Sequence, residues 1–289
     1  MEENINLERM NNENGVSMEK MHKRGIMGAI IGDIVGSRFE FEPHKSKEFE
    51  LFTYYCRATD DSMMTIAIAN ALLDCKDDYS GLSKRATDSM QAIGRMYPDA
   101  GYGGRFIEWL YEDDPLPYES FGNGAAMRVS PCAFAADTLE QALSLSDAVT
   151  RVSHNHPEGM KGARALTAAI YLAKTGHSKE EIREHIARNY YPNLRTLDEI
   201  RPGYSFNVTC QGSVPEALEC FFEADSYEDT IRNAVSLGGD CDTQGAIAGA
   251  IAGTFYGIPD EIYEEAIRIV PPILHGIIHR FGERFEQGL

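Results

Sequence analysis

The chain has 289 residues and a formal net charge of −18, because 45 acidic residues stand against 27 lysines and arginines. This length favours one large domain. The charge argues against the nucleic-acid backbone and the anionic membrane surface as main partners, because both attract clustered positive charge, but it leaves room for a small anionic ligand held by backbone N–H groups or metal ions.

The first 23 residues are rich in Glu and Asn and carry few aromatic or branched apolar side chains. This composition predicts a disordered tail over 1–23, followed by one domain over 24–289. The tail lacks the features of a secretory signal, and the six cysteines form no C-x-x-C pair, so we expect a cytoplasmic protein with reduced, buried thiols. The longest apolar run, 246–258, is too short to span a bilayer.

Apolar residues recur at helical spacing nearly everywhere after residue 24, and no segment shows the alternation of a strand. In the segment 61–75, for example, Met64, Ile68 and Leu72 are four positions apart. Ser178, with glutamates two and three positions later, predicts a capping box at the start of a helix. The predicted fold class is therefore all-α, a single globular multi-helix domain. Helices are predicted over 61–75, 139–154, 162–176, 178–191, 213–224, 226–238 and 259–270.

Three acidic stretches lie beside glycines or at predicted helix starts. At the second, helix capping explains one carboxylate and leaves an adjacent carboxylate and a hydroxyl without a role. At the third, two preceding glycines permit a turn that would aim two aspartates at one point. The stretches carry Asp33 and Glu40; Thr59, Asp60 and Asp61; and Asp240, Asp242 and Thr243.

The second and third stretches are about 180 residues apart in the chain, and together they supply four carboxylates and two hydroxyls. Carboxylates brought so close would repel each other and raise each other's pKa. Two divalent cations would relieve that repulsion, and oxygen ligands of this kind suit Mg²⁺ or Mn²⁺. After this stretch, Gly245, Gly249 and Gly253 predict a helix face that another helix can approach closely, and Cys241 is expected to point away into apolar packing.

At this point the sequence resembles the ADP-ribosylglycohydrolase family, which includes the dinitrogenase reductase-activating glycohydrolases and the eukaryotic ADP-ribosyl-acceptor hydrolases. The matching stretches follow the family's order and span about 230 residues. They are GAIIGDIVGSRFE (28–40), TDDSMMTIA (59–67), GYGGRF (101–106), SFGNGAAMRVSP (120–131), SHNHP (153–157) and GGDCDTQGAIAGAIAGTFYG (238–257). The resemblance implies an all-α domain with two Mg²⁺ or Mn²⁺ ions in a central cleft.

The resemblance also implies roles for particular residues. Glu40, Asp60 and Asp61 would be the candidates for acid–base catalysis. The metal ligands would be Thr59, Asp60, Asp61, Asp240, Asp242 and Thr243.

An ADP-ribose loop would comprise Ser120, Phe121, Gly122, Asn123 and Gly124, with free N–H groups ahead of a helix meeting the pyrophosphate or the ribose hydroxyls.

Four further residues are candidates around this loop. His154 would stand near the phosphates, with His156 as the alternative match, and Tyr102 would line the adenosine end. Arg128 could contact a phosphate or form a structural ion pair, and we favour the ion pair.

The implied reaction is hydrolysis of the bond between C1″ of ADP-ribose and an acceptor, which would be an ADP-ribosylated protein or a small ADP-ribose conjugate. Arginine is the first expected acceptor, then serine, then the acetyl ester in O-acetyl-ADP-ribose. Two other readings are open. An inactive family member that binds ADP-ribose or serves as a structural protein would be expected to lose an aspartate, and none is lost here. An unrelated two-metal phosphoesterase would cut the pyrophosphate and release AMP.

Overall fold

Residues 25–76 and 78–286 are described by the structure, a computed structural model, and they form one all-helical domain. Within these residues the only β-type pairing is an isolated antiparallel bridge between Gly122 and Thr209. The all-α prediction is confirmed, whereas the predicted tail over 1–23 lies outside the described residues. No helix of the described chain is both long and apolar enough to cross a membrane.

The described residues contain fifteen α-helices and one short 3₁₀ turn, Tyr79–Gly81. The α-helices are α1 (Ile26–Gly36), α2 (Asp60–Cys75), α3 (Leu82–Met96), α4 (Gly104–Tyr111), α5 (Gly124–Met127), α6 (Ser130–Phe134), α7 (Leu139–Thr150), α8 (Pro157–Lys174), α9 (Lys179–Asn189), α10 (Leu197–Ile200), α11 (Cys210–Phe222), α12 (Tyr227–Leu237), α13 (Cys241–Tyr256), α14 (Asp260–Ile269) and α15 (Pro272–Phe285).

Several predicted helix ends are confirmed and three are wrong. The capping box is present, with Ser178 Oγ accepting from the Glu181 N–H at 3.2 Å and the Glu181 carboxylate accepting from the Ser178 N–H at 2.8 Å. Helix α7 stops at Thr150 instead of residue 154, and α8 starts at Pro157. The residue before a proline disfavours helix, and His156 is accordingly extended, which separates the two helices. Proline suits the first helical position since its missing N–H has no partner there. Helix α8 therefore begins five residues earlier than predicted.

Helix α11 begins at Cys210, three residues before the predicted start. A helix that started at residue 213 would have Pro215 in its first turn, where a proline costs no hydrogen bond. In the structure Pro215 lies beyond the first turn, inside the helix. All six cysteines are buried and free, as predicted.

Helices α1 and α13 are buried along almost their whole length and touch through glycines. A Cβ on Gly32 would lie 1.9 Å from the carbonyl oxygen of Gly245, and one on Gly249 would lie 2.3 Å from that of Gly28. The close-approach face predicted for α13 is thus confirmed, and α1 supplies a matching row at the same four-residue spacing. This contact places the end of α1 beside the start of α13, where two of the candidate aspartates lie.

Candidate metal and substrate site

The turn between α12 and α13 aims the third acidic stretch. Gly238 adopts a left-handed conformation, with φ of 63°, which glycine reaches without steric cost. Cys241 is fully buried, and its Sγ lies 3.6 Å from the carbonyl oxygen of Val235. With the thiol directed into the core, as predicted, Asp240 and Asp242 both face the cleft described below.

Asp33 fixes the start of α2 and thereby the second acidic stretch. Its carboxylate accepts hydrogen bonds from the Thr59 N–H at 2.9 Å, the Thr59 hydroxyl at 2.6 Å and the Ser62 N–H at 3.1 Å, and also from the Ser62 hydroxyl. Asp33 was identified from the sequence without a predicted role. Its capping role could have been predicted, because a carboxylate from another segment can cap a helix start that carries its own acids.

The two distant acidic stretches meet through reciprocal contacts. Thr243 Oγ1 donates to Asp61 Oδ2 at 3.2 Å, and Thr59 Oγ1 lies 3.5 Å from Asp242 Oδ2. The second Asp61 oxygen, Oδ1, is buried and has no hydrogen-bond partner among the described residues. A buried oxygen of this kind is costly unless something outside the protein binds it.

Two groups of three carboxylates share Asp242. Ligand oxygens of Asp33, Asp61 and Asp242 lie within 4.8 Å of one another, and so do those of Glu40, Asp240 and Asp242. Asp60 belongs to neither group. It lines the cleft beside Gly101, where an added Cβ would lie 3.4 Å from Asp60 Oδ1.

Burial raises the pKa of every acid in this cluster, and repulsion from neighbouring carboxylates adds to the effect at Glu40, Asp60, Asp61 and Asp242. Burial raises the pKa of Asp60 to about 8, with further contributions from the neighbouring carboxylates Asp33 and Asp240. Burial also raises the pKa of Glu40 to about 7, and Asp240 adds to that effect. The pKa values of Asp61 and Asp242 rise well above the ordinary value for the same two reasons. Asp60, Asp61 and Asp242 therefore favour the protonated form at neutral pH unless a cation replaces the proton.

The cluster opens into a cleft of about 520 Å³. Its lining includes acidic residues of the cluster and residues of the predicted ADP-ribose loop. Eight of the candidate residues outside the metal stretches lie on its wall: Glu40, Ser120, Phe121, Gly122, Asn123, Gly124, Arg128 and His154. Tyr102 is not one of the lining residues, and its ring packs 5.9 Å from that of Phe106.

The predicted role of free backbone N–H groups is wrong at two positions of the loop. The N–H of Asn123 donates to the Val208 carbonyl at 2.8 Å, and that of Gly122 donates to Ser120 Oγ at 3.2 Å. The bridge between Gly122 and Thr209 explains the first bond, since it ties the loop to the segment before α11, and the second bond is a local turn two residues long. The Asn123 side chain serves the acidic cluster instead and donates to Asp240 Oδ2 at 2.7 Å.

The structure separates the two histidines of SHNHP. His154 is 5% exposed and lines the cleft. His156 caps α8, its Nδ1 accepting from the Glu158 N–H at 3.1 Å. The ion pair predicted for Arg128 does not form with any carboxylate of the described chain. Its Nη2 donates to Ser153 Oγ at 2.6 Å, and its Cζ lies 5.3 Å from the centroid of the Phe106 ring.

A family model described as ADP-ribosylglycohydrolase matches residues 20–285. The chain belongs to the ADP-ribosylglycohydrolase family.

Curated relatives share about a quarter of their residues with this family member. It is 24% identical to ADP-ribosylhydrolase ARH3 of Mus musculus, over 81% of this chain and 83% of the relative. It is 26% identical to ADP-ribosylarginine hydrolase Tri1 of Pseudomonas putida, over 82% of this chain and 70% of the relative. It is also 26% identical to ADP-ribosyl-[dinitrogen reductase] glycohydrolase of Rhodospirillum rubrum, over 83% and 88%.

A solved structure titled ADP-ribosylglycohydrolase-related protein complex superposes with a TM-score of 0.67 at 25% identity. The match covers 90% of this chain and 96% of that one. The all-helical fold is therefore that of the family.

Proposed function

We propose that this chain is a divalent-metal-dependent hydrolase that releases ADP-ribose from a modified acceptor by hydrolysing the bond at C1″. The observation that carries the proposal is the meeting of the two acidic stretches, in which Thr243 contacts Asp61 and Thr59 contacts Asp242 across the chain. Family membership supplies the substrate class, since the relatives are named as hydrolases of ADP-ribosyl conjugates.

The donor set fits two hard cations. All the candidate side chains offer oxygen, which Mg²⁺ and Mn²⁺ prefer, and the unpartnered Asp61 Oδ1 has a lone pair to give. Asp33 is a support rather than a ligand, because four hydrogen bonds already occupy its oxygens. The proposed ligands are Thr59, Asp60, Asp61, Asp240, Asp242 and Thr243. When bound, such ions supply Lewis acidity and lower the pKa of a water molecule.

Carboxylates of the acidic cluster are the proposed acid–base catalysts. Glu40 has a pKa of about 7, so it can accept a proton from the attacking water near neutral pH and return it to the leaving group. In the balanced reaction the water oxygen bonds to C1″, the bond from C1″ to the acceptor breaks, and the proton goes to the acceptor atom. Asp60 and Asp61 are the other candidates for this proton transfer, but as proposed metal ligands they would be deprotonated, which favours Glu40.

The predicted ADP-ribose loop is proposed to bind the rest of ADP-ribose. Gly122, Asn123 and Gly124 line the cleft, and Phe121, which also lines it, is 43% exposed, so its ring can stack on the adenine ring. The pyrophosphate is proposed to lie at His154. We propose arginine as the first acceptor, then serine, then the acetyl ester.

A panel of conjugates with product identification tests the proposal. Arginine-, serine- and glutamate-linked ADP-ribosyl peptides and O-acetyl-ADP-ribose would each be incubated with the protein and Mg²⁺ or Mn²⁺. The expected product is free ADP-ribose from at least one conjugate, with the arginine-linked peptide cleaved fastest. Release of AMP would show cleavage of the pyrophosphate and would overturn the proposal, as would an inert protein that binds ADP-ribose without cleaving any conjugate.

A further inference from the structure

Arg128 is a fully buried cation on the wall of the cleft. Its side chain is 0% exposed, and no carboxylate of the described residues forms an ion pair with it. Burial lowers its pKa to about 10, so it stays charged at neutral pH. A buried charge without a counter-charge destabilises the fold. Its presence therefore calls for a role beyond packing.

Arg128 can donate hydrogen bonds but cannot accept them. A guanidinium donates and never accepts, so Ser153 Oγ accepts from Arg128 Nη2 at 2.6 Å. The same Ser153 Oγ lies 2.8 Å from His154 Nδ1, and Arg128 Nη2 lies 3.4 Å from that nitrogen. The serine proton is then free to point at Nδ1. Because a guanidinium cannot accept, the Arg128 contact requires a lone pair on Nδ1, which assigns the ring proton to Nε2. The serine contact fits that tautomer.

The Nε2 atom faces the glycine-rich loop. A Cβ added to Gly124 would lie 3.3 Å from Nε2, and one added to Gly122 would lie 3.6 Å from it. Neither glycine has a positive φ, so backbone conformation does not explain their identity. The space that both leave open in front of Nε2 does.

We propose that Arg128, acting through Ser153, is a positioning residue that holds His154 as the Nε2–H tautomer and directs that N–H at a phosphate oxygen of the bound ligand. The identity of the phosphate as part of the ADP-ribose pyrophosphate rests on the proposed function. The rings of Tyr118 and Phe106, with centroids 5.8 and 6.2 Å from that of His154, hold the imidazole in place. A neutral donor backed by a buried positive charge suits an anion in a chain of net charge −18.

The test is the tautomer of His154, read by long-range ¹H–¹⁵N correlation NMR on histidine-labelled protein without ligand at pH 7. The wild type is expected to show Nδ1 unprotonated and Nε2 protonated. Ser153→Ala and Arg128→Met are each expected to shift His154 towards a mixture with the Nδ1–H tautomer. Ser130→Ala is the matched control, because Ser130 is also fully buried and its hydroxyl has no hydrogen-bond partner among the described residues. This variant should leave the His154 resonances unchanged.

The ligand half of the test uses ADP-ribose and adenosine as probes. ADP-ribose is expected to shift the Nε2–H resonance and adenosine to leave it in place, and Ser153→Ala should weaken ADP-ribose binding about tenfold. Wild-type His154 as the Nδ1–H tautomer or as imidazolium would overturn the inference. So would an Nε2–H resonance that ADP-ribose does not move. An Nε2–H tautomer that responds to ADP-ribose in a protein without hydrolase activity would sink the proposed function and leave this inference standing.

Discussion

Gly32 and Gly245 lie so close together that neither position can carry a side chain. A Cβ on Gly245 would stand 2.3 Å from the Gly32 carbonyl oxygen, and one on Gly32 would stand 1.9 Å from that of Gly245. Both obstacles are backbone atoms, which cannot rotate away. This contact brings Asp33, at the end of α1, to the start of α13, where Asp242 lies, so the same glycines that pack the core also assemble the acidic cluster.

Gly245→Ala should therefore destabilise the protein by about 3 kcal/mol, the upper range for overpacking a core. It should also weaken metal binding, because Asp242 would move with α13. Gly276→Ala is the control: it lies in α15 with open space around it, and alanine there should stabilise by about 0.5–1 kcal/mol. Chemical denaturation of both variants measures the difference. Equal stabilities would show that the glycine contact between α1 and α13 is not tight.

Asp33→Asn should destabilise the start of α2. An amide would set its own N–H₂ against donors from Thr59 and Ser62, which now share the carboxylate. The expected loss is about 2 kcal/mol, with weaker metal binding because Asp60 and Asp61 begin the same helix. Asp74→Asn makes the same chemical change at an exposed position near the other end of α2 and should alter stability by less than about 0.5 kcal/mol. Thermal unfolding of the pair checks this, and indistinguishable melting curves would be the contrary result.

Lys45 ties three segments that deliver cleft residues. Its Nζ donates to the carbonyl oxygens of Arg201 at 3.0 Å and Tyr204 at 2.6 Å, and also to that of Leu237 at the end of α12. Lys45→Met keeps the aliphatic stem and removes all three bonds, so the loop bearing Glu40 should loosen from the turn before Asp240. We expect kcat/KM to fall about tenfold, since small displacements of reacting groups are costly.

The control for that change is Lys47→Met, in the same loop. Lys47 pairs with Asp229 at a partly exposed position, where an ion pair contributes only about 0–1 kcal/mol. Steady-state kinetics should show activity close to wild type for Lys47→Met. If both variants retained full activity, Lys45 would have no part in positioning the site.

Glu286 predicts a pH dependence of stability that is independent of the metal site. Its carboxyl group is 3% exposed and accepts from the Ile26 N–H at 3.2 Å, and burial raises its pKa from 4.5 to about 8. The folded protein thus binds a proton that the unfolded chain has released. The contribution is complete below about pH 4.5 and disappears as pH rises to about 8.

Glu286→Gln keeps the acceptor and removes the titration. Relative to this variant, the wild type should lose about 1 kcal/mol of unfolding free energy per pH unit between pH 5 and pH 8. Urea unfolding at several pH values measures it, with Glu283→Gln, on an exposed neighbour, as the control. Parallel pH profiles for wild type and Glu286→Gln would refute the raised pKa.

Local signals predicted much of this fold. Helical periodicity located α2 and α12, and Ser178 with Glu181 set the start of α9, because these features depend only on neighbouring residues. The end of α7 was predicted too late, since the turn before Pro157 lies among residues that are themselves compatible with helix. Periodicity could not show that the glycines of α1 pack against those of α13, because glycines four positions apart are equally typical of flexible chain.

The candidate site was predicted less completely than the fold. The two acidic stretches were identified because helix capping explains only one carboxylate at a helix start and leaves a second carboxylate and a hydroxyl without a role. The roles of Asp33 and Arg128 depend on partners far away in sequence or on an absence of partners, which only the three-dimensional arrangement reveals. The N–H of Asn123 was assigned to the ligand for the same reason, because its partner Val208 is far away in sequence. The N–H of Gly122 was misassigned although its partner, Ser120 Oγ, is only two residues away.

We propose that Thr59–Asp61 and Asp240–Thr243 form one metal site on which hydrolysis depends. The most direct test of this proposal is Mn²⁺ titration by calorimetry, with hydrolysis measured on the same samples, for wild type, Asp242→Asn and Asp74→Asn. Wild type and Asp74→Asn should bind two ions per chain and lose activity in EDTA. Asp242→Asn, which removes the carboxylate shared by both groups, should bind Mn²⁺ at least about tenfold more weakly and lose activity in proportion. Unchanged Mn²⁺ binding by Asp242→Asn would show that Asp242 is not a metal ligand. Full hydrolysis in EDTA would show that hydrolysis does not depend on a metal.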